Sequence, residues 1–351
     1  MSTEGQVMTA VDADGVVDPG TPVLKVTDLS LRRAGSTNPA LLVDSVSFDV
    51  AQGECLALIG ESGCGKTLTS MSILGLLPKA IQVARGSVQL NGTEILGSSE
   101  REYARIRGKS IGAIFQDPMS SLDPTMKIGD QIAESRRIHL GESKAEGRKR
   151  AVELLDRVGI ANAKSRLDSF PFELSGGMQQ RVMIAAAIAC DPAILIADEP
   201  TTALDVTVQA GVLDLLRDLQ QDLGLAVLLV THDLGVVADF SDRVAVMYAG
   251  QIVERATTVQ LLDEQPLHPY AKALAASVAQ TGEAHTILPT IPGRVPSAED
   301  MPLGCRFEKR CPFADPPRCS QPQEELPVGH GRTARCIRVH EINDLEVLNR
   351  G

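Results

Sequence analysis

The stretch Gly60-Glu61-Ser62-Gly63-Cys64-Gly65-Lys66-Thr67 constrains the fold of this chain more than any other. It lies between a short apolar run, Glu54–Ile59, and a helix-forming run from about Lys66 to Leu77 that Pro78 stops. A strand that passes into a helix through closely spaced glycines is a phosphate cradle. The glycines let successive N–H groups curl inward, and the helix N-terminus adds partial positive charge. Lys66 is then placed to reach the β- and γ-phosphates of a nucleotide, and the Thr67 hydroxyl to bind Mg²⁺. Gly60 through Leu68 form the expected nucleotide-contacting stretch. A glycine-rich turn that binds nothing is the alternative, and the order strand, loop, helix speaks against it.

The rest of the chain alternates in the same way. Val23–Leu31, Leu42–Val50, Ser87–Leu90 and Ser110–Phe115 read as strands, and Met126 to about Phe170 as helical. Met178–Cys190 is an Ala-rich helix, Ile194–Ala197 and Ala226–Val230 are buried strands, and Val206–Leu223 is an amphipathic helix. Arg243–Tyr248 and Gln251–Glu254 suggest a hairpin. Strands alternating with helices around a nucleotide loop indicate an α/β domain with a parallel core sheet, and the antiparallel runs at the start suggest a smaller second sheet. Beyond about Pro266 prolines become frequent and periodicity fades, so an irregular extension is expected over 280–351 after a domain spanning 21–279. Residues 1–20 read as a disordered tail with no secretory signal.

Composition weighs against some functions. The net charge of −11 disfavours a duplex nucleic-acid binder, which needs a basic stripe to release counterions. The cluster Arg148–Arg150, flanked by Glu146 and Glu153, reads as a solvated helix face. No apolar run approaches the roughly 20 residues of a membrane span, so any membrane link passes through a partner.

Ile194-Leu195-Ile196-Ala197-Asp198-Glu199 supplies the second half of a phosphate site. Carboxylates ending a buried strand are costly unless they face a cation. Asp198 is expected on the Mg²⁺ side and Glu199 as the base that orients the attacking water. An acidic helix cap before Pro200 is the competing reading, weakened by the loop at Gly60–Thr67.

Leu174-Ser175-Gly176-Gly177-Met178-Gln179-Gln180-Arg181 opens a helix with a second anion-binding turn. One domain has one γ-phosphate, so a second cradle suggests that another subunit's nucleotide docks there. The sequence closely resembles the signature of ABC ATPases, whose fold combines a P-loop NTPase parallel core sheet, an antiparallel β subdomain and a helical subdomain, here at about 117–180. The resemblance implies a head-to-tail dimer sandwiching two ATPs, with Ser175 and Gly177 reaching the partner's γ-phosphate. It also implies that Gln116 is the Q-loop residue touching Mg²⁺ or water, that Ala203-Leu204-Asp205 is the D-loop, and that His232 is the switch histidine. Family members usually stack adenine on an aromatic residue. That place falls near Arg33 here, and a guanidinium can stack on a flat ring.

Within the family, Phe115-Gln116-Asp117-Pro118-Met119-Ser120-Ser121-Leu122-Asp123-Pro124 and His268-Pro269-Tyr270 resemble the ATPase subunits of oligopeptide, dipeptide and nickel importers. The helical insert in such subunits receives the permease's coupling helix. The pattern Cys305-x5-Cys311-x7-Cys319-x16-Cys336 lies in a Pro-rich tail without an obvious core, which favours ligation. In the importer group this pattern holds a [4Fe–4S] cluster. Zinc, with His330 or His340 recruited, and unligated thiols are the alternatives. Cys55 and Cys190 read as small core residues. Cys64, near a helix N-terminus, is expected to have a lowered pKa and to make the ATPase sensitive to oxidants.

The expected function is an ATPase subunit at the cytoplasmic face of the cell membrane that powers peptide import. Its expected partners are two transmembrane permease subunits, a paralogous ATPase or second copy of itself, and an extracytoplasmic peptide-binding protein reached through the permease. An importer for nickel or another small solute is the nearer alternative. A soluble relative acting on DNA or the ribosome fits less well, because the chain carries one ATPase unit and no sustained heptads between Lys66 and Leu174. A kinase leaves the signature unexplained.

Overall fold

The continuous apolar runs become the centre of an eight-stranded sheet. The computed structural model describes residues 22–35, 41–202, 205–276, 291–297 and 299–342. The expected tail at 1–20, Ala203 and Leu204 of the D-loop, and the start of the extension at 280–290 lie outside the described residues. The early strands are β1 (Leu24–Arg33), β2 (Val43–Val50), β3 (Cys55–Ile59), β4 (Ile81–Leu90), β5 (Thr93–Glu94) and β6 (Ile111–Ile114). The later ones are β7 (Ile194–Asp198), β8 (Ala226–Thr231), β9 (Arg243–Tyr248), β10 (Gln251–Thr257), β11 (Leu326–Gly329) and β12 (Arg332–Ala334).

The large sheet has the order β11-β12-β10-β9-β3-β8-β7-β6, with β9, β3, β8, β7 and β6 parallel. Cys55, Ala57, Ile59, Leu195, Ala197, Val227 and Leu229 face one core. Leu56, Leu58, Ile194, Ile196, Leu228 and Val230 face the other. Side chains alternate along a strand, so strands covered on both faces read as unbroken hydrophobic runs. The helices Gly176–Ala187, Val206–Leu223 and Leu234–Phe240 contribute to the first core. The antiparallel sheet β2-β1-β4-β5 and the helix Lys66–Ile73 cover the second.

β4 starts six residues before the expected Ser87, and its first half is largely exposed. Pairing with β1, from Ser30↔Arg85 to Arg33↔Ile81, holds it in place where no buried face does, so alternation could not reveal it. The helical insert resolves into Ile128–Leu140, Lys144–Arg157 and the short Ala163–Arg166. Ser143 and Glu146 cap the second of these reciprocally. Arg148 pairs with Asp130 and Asp168, and Arg150 with Glu153. Cys55 and Cys190 are buried, as expected of small core residues.

The segment past 280 is less irregular than its composition suggests. β12 pairs with β10 through Glu254↔Ala334 and Arg255↔Thr333, and β11 follows, so these residues extend the core sheet. Strands of four and three residues are too short to show a period. The join is made by a buried ion pair. Glu254, 0% exposed, lies 2.7 Å from Arg332 and accepts backbone N–H bonds from Leu267 and His268. Two of the chain's three tyrosines, Tyr248 and Tyr270, lie 4.6 Å apart by ring centroid and pack on Phe307 of the extension at 5.2 and 5.5 Å. Gly304 is held so closely that a Cβ there would stand 2.3 Å from the Cys319 carbonyl oxygen.

Removing one partner of a buried pair leaves the other charge uncompensated. Arg332→Ala should therefore lower stability by about 3 kcal/mol, read as a reduced urea midpoint together with faster proteolysis between β10 and β12.

Candidate active site

β3 ends at Ile59, and the chain turns through the glycine loop into the helix Lys66–Ile73. Gly60 has φ 153°, and a Cβ there would meet the Met247 carbonyl oxygen at 2.1 Å, so only glycine fits. The Lys66 ammonium is buried and donates to the carbonyls of Gly60 at 2.7 Å and Glu61 at 3.2 Å. It stays within the loop, where an incoming phosphate can exchange with those carbonyls.

A cleft of about 670 Å³ opens over this loop. Gly60, Glu61, Ser62, Gly63, Gly65, Lys66, Thr67 and Leu68 line it on the loop side, and Gln116, Glu199, Thr202 and His232 also contribute. The Glu199 carboxylate gathers these last groups. Gln116 Nε2 donates to its Oε2 at 3.1 Å, Thr202 Oγ1 donates to the same oxygen at 2.9 Å, and His232 Nδ1 lies 3.0 Å from Oε1. Glu199 has φ 49°, a strained conformation for a non-glycine residue, fixed by its N–H bond to the Val230 carbonyl. Three polar groups converging on one carboxylate, opposite a phosphate cradle, can hold and orient a water beside a terminal phosphate.

Asp198, at the end of β7, is hydrogen-bonded to Thr67 and lies 3.5 Å from the Ser70 hydroxyl. Burial raises its carboxyl above the ordinary aspartate value, outweighing the Thr67 bond, with the Glu199 charge adding to the rise. Desolvation thus outweighs the nearby Lys66 charge as well. Thr67, Asp198 and Gln116 present hard oxygen donors of the kind Mg²⁺ prefers, and Gln116 commits its amide nitrogen to Glu199. The donor set fits the metal.

Ser175, Gly177 and Asp205 do not line this cleft. Ser175 caps the helix Gly176–Ala187 from an exposed position, accepting from the Met178 N–H at 3.4 Å. Asp205 caps Val206–Leu223, accepting from the N–H groups of Thr207 and Val208. Arg33 is exposed at the end of β1 and is likewise absent from the lining.

Sequence reading missed three residues around the loop. Thr202 follows the recognised Asp198-Glu199 pair closely, but nothing in its spacing marks it as a ligand of Glu199. Tyr270 accepts the Glu61 N–H at 2.8 Å, and Arg310 binds the Glu61 carboxylate with both terminal nitrogens. Their distance along the chain hid both contacts. The expectation for Cys64 is corrected. Its thiol is 1% exposed, and burial pushes its pKa up, against the lowering effect of Lys66. Desolvation outweighs the nearby cation.

Cys305, Cys311, Cys319 and Cys336 are free thiols lining one small apolar pocket with Phe307, Phe313 and His268. Among the described residues, no three His, Cys, Asp or Glu side chains are drawn together tightly enough to hold a metal ion. Burial pushes the Cys305 thiol up to about 12 and Cys311 up to about 11, and the neighbouring thiolates add to both rises. The histidine at this pocket is His268, with neither His330 nor His340 lining it. His268 is buried, its pKa is lowered to about 3, and its Nδ1 accepts the Tyr270 N–H at 3.1 Å.

Comparison with known proteins agrees with this geometry. The family described as ABC transporter matches residues 43–202, and the oligopeptide/dipeptide transporter C-terminal region matches 253–319. The oligopeptide transport ATP-binding protein AppD of Bacillus subtilis is 45% identical over 320 residues, covering 91% of this chain and 97% of AppD. OppD of Mycobacterium tuberculosis is 48% identical over 323 residues, which are 92% of this chain and 52% of OppD. Among solved structures, CbiO1 from Clostridium perfringens, part of the ABC transporter complex CbiONQ, superposes with a TM-score of 0.60 at 27% identity, covering 68% of this chain and 90% of CbiO1. The ATP-binding cassette MJ0796, in a dimeric post-hydrolysis state with ADP and Pi, gives 0.59 at 27% identity over 67% of this chain and 98% of its own.

The buried Cys64 thiol should resist alkylation in the folded protein. Mass mapping after iodoacetamide treatment at pH 8 should find it labelled only under denaturing conditions, and prompt labelling of native protein would contradict its burial.

Proposed function

Since the chain belongs to the ABC transporter ATPases, in the branch of oligopeptide/dipeptide importers, and is the ATP-hydrolysing subunit powering a peptide importer, we propose the following division of labour within its site. The convergence of Gln116, Thr202 and His232 on the Glu199 carboxylate carries the proposal. Glu199 accepts the proton of the attacking water. His232 and Gln116 hold that carboxylate and face the γ-phosphate and the metal. The N–H groups from Gly60 to Leu68 cradle the phosphates, with Lys66 neutralising developing negative charge. Thr67, Asp198 and Gln116 would hold Mg²⁺, which would offset the negative charge of the phosphates.

Ser175 and Gly177 serve a partner's nucleotide, a reading supported by the helix N-terminus they open at the surface, away from the chain's own cleft. Asp205 belongs with them at the interface. The partner is a paralogous ATPase or a second copy of this chain.

Among the described residues no helix is long and apolar enough to cross a membrane, and two permease subunits supply the membrane path. A groove of about 480 Å³ beside the Q-loop, lined by Phe115, Leu122, Met126 and Met183, is where a permease segment docks. Phe115, 38% exposed, directly precedes Gln116, so a docked segment is one residue from the Glu199 network. Peripheral association with the cytoplasmic face of the membrane and delivery of peptide by an extracytoplasmic binding protein complete the proposed assembly, a reading supported by the match to the oligopeptide/dipeptide transporter C-terminal region.

By ligand chemistry, the four thiols of Cys305, Cys311, Cys319 and Cys336 suit a [4Fe–4S] cluster, with zinc as the alternative, and binding would draw them closer than they stand here. Support comes from four thiols lining one apolar pocket. A cluster bound there would link Cys305 and Cys311 to Cys319 of the short helix Pro316–Cys319 and to Cys336 beyond β12.

Glu199→Gln keeps the network's shape and removes the base. It should bind ATP at wild-type affinity and hydrolyse it about 10²–10³-fold more slowly; turnover within a factor of a few would remove the assigned role. Anaerobic purification should yield about four iron and four sulfide per chain, whereas stoichiometric zinc without iron would replace the cluster with the alternative.

A further inference from the structure

Glu61 occupies a position of the phosphate loop where the chemistry of phosphate binding asks only for a backbone. A carboxylate lining that cleft opposes a triphosphate unless its charge is cancelled. The extension provides the cancellation. Arg310 Nη1 lies 2.9 Å from Glu61 Oε2 and Nη2 lies 3.1 Å from Oε1, a bidentate pair.

All five N–H groups of Arg310 are used. Two go to Glu61, and the others go to the carbonyls of Pro292 at 2.7 Å and Ile291 at 3.2 Å and to the Tyr248 hydroxyl at 3.3 Å. The guanidinium is 5.7 Å from the Tyr248 ring centroid and 5.8 Å from that of Phe307. Its side chain is 6% exposed, so it has one conformation available and no solvent to replace Glu61. Glu61, its side chain 28% exposed, is held at three points. Its N–H goes to the Tyr270 hydroxyl, its carbonyl takes the Lys66 ammonium, and its carboxylate takes Arg310.

We propose that Arg310, contributed by the cysteine-containing extension, is a positioning residue for ATP binding that neutralises Glu61 and fixes the entry of the phosphate loop. Residues 249 positions apart in sequence thereby form one unit, and the extension acts on nucleotide affinity without touching nucleotide. The inference rests on the loop binding ATP.

Mg-ADP binding by the intact chain, and KM and kcat of the detergent-solubilised transporter, test it. Arg310→Ala should raise the Kd for Mg-ADP and the KM for ATP about tenfold, with kcat at saturating ATP changing less than about twofold. Adding Glu61→Gln to that variant should restore most of the lost affinity, because the uncompensated charge is then gone. A role in packing alone predicts no such rescue. Unchanged Kd and KM in Arg310→Ala with only a lowered Tm, or a double variant no better than the single, would overturn the proposal. Should the alanine variant not fold, Arg310→Gln keeps much of the volume without the charge, and wild-type affinity in it would be equally decisive. Wild-type protein that binds no Mg-ADP would instead remove the underlying assignment of the loop.

Discussion

Ile59 pairs with Thr231, Asp198 with Val230, and Ile114 with Ala197, all in parallel strands. Parallel pairing makes neighbouring strands end at one edge, so whatever follows them leaves the sheet there. Gly60 follows β3, Glu199 follows β7, His232 follows β8, and Gln116 lies two residues beyond β6. The reacting groups come from four separate stretches of sequence, and register alone brings them within hydrogen-bond reach. A shift of β7 against β8 would break the Glu199 N–H bond to Val230 and turn the carboxylate away from His232.

The antiparallel half of the sheet answers a different need. β9 and β10 leave an edge, and β12 and β11 cover it with chain from the far end of the sequence. The Glu254–Arg332 pair at that seam is buried, with Glu254 fully withdrawn from water. Buried ion pairs contribute little net stability and often fix one arrangement against others. Here the arrangement sets where Phe307, Arg310 and the four thiols stand relative to the phosphate loop.

The site thus has two kinds of support. Strand ends supply Glu199, His232 and Gln116 directly, with backbone bonds as their foundation. The loop at Gly60–Thr67 is held from outside by the side chains of Tyr270 and Arg310, and its Cys64 carbonyl accepts the Gly250 N–H. Polar anchors of this kind are strong only where water is excluded, and the aromatic cluster of Tyr248, Tyr270 and Phe307 excludes it.

The sequence by itself determined everything that a local pattern can carry. The loop Gly60–Thr67 showed its glycines, Lys66 and Thr67 in order. β7 and β8 showed unbroken apolar runs, and Val206–Leu223 matched its helix at both ends. Asp198 and Glu199 stood out as acids ending a buried strand. Only the tertiary structure decided the rest. That Thr202, Gln116 and His232 meet on one carboxylate is a matter of sheet order, and periodicity within a strand does not encode its neighbours. Cys64 sits near a helix N-terminus, which pointed to a reactive thiol, yet its pKa follows the surrounding atoms that remove water. β11 and β12 were too short for any period to show. Tyr270 and Arg310 lie two hundred or more residues from the loop they hold. Such contacts depend on where the chain returns in space, and that is fixed only when the sheet has formed.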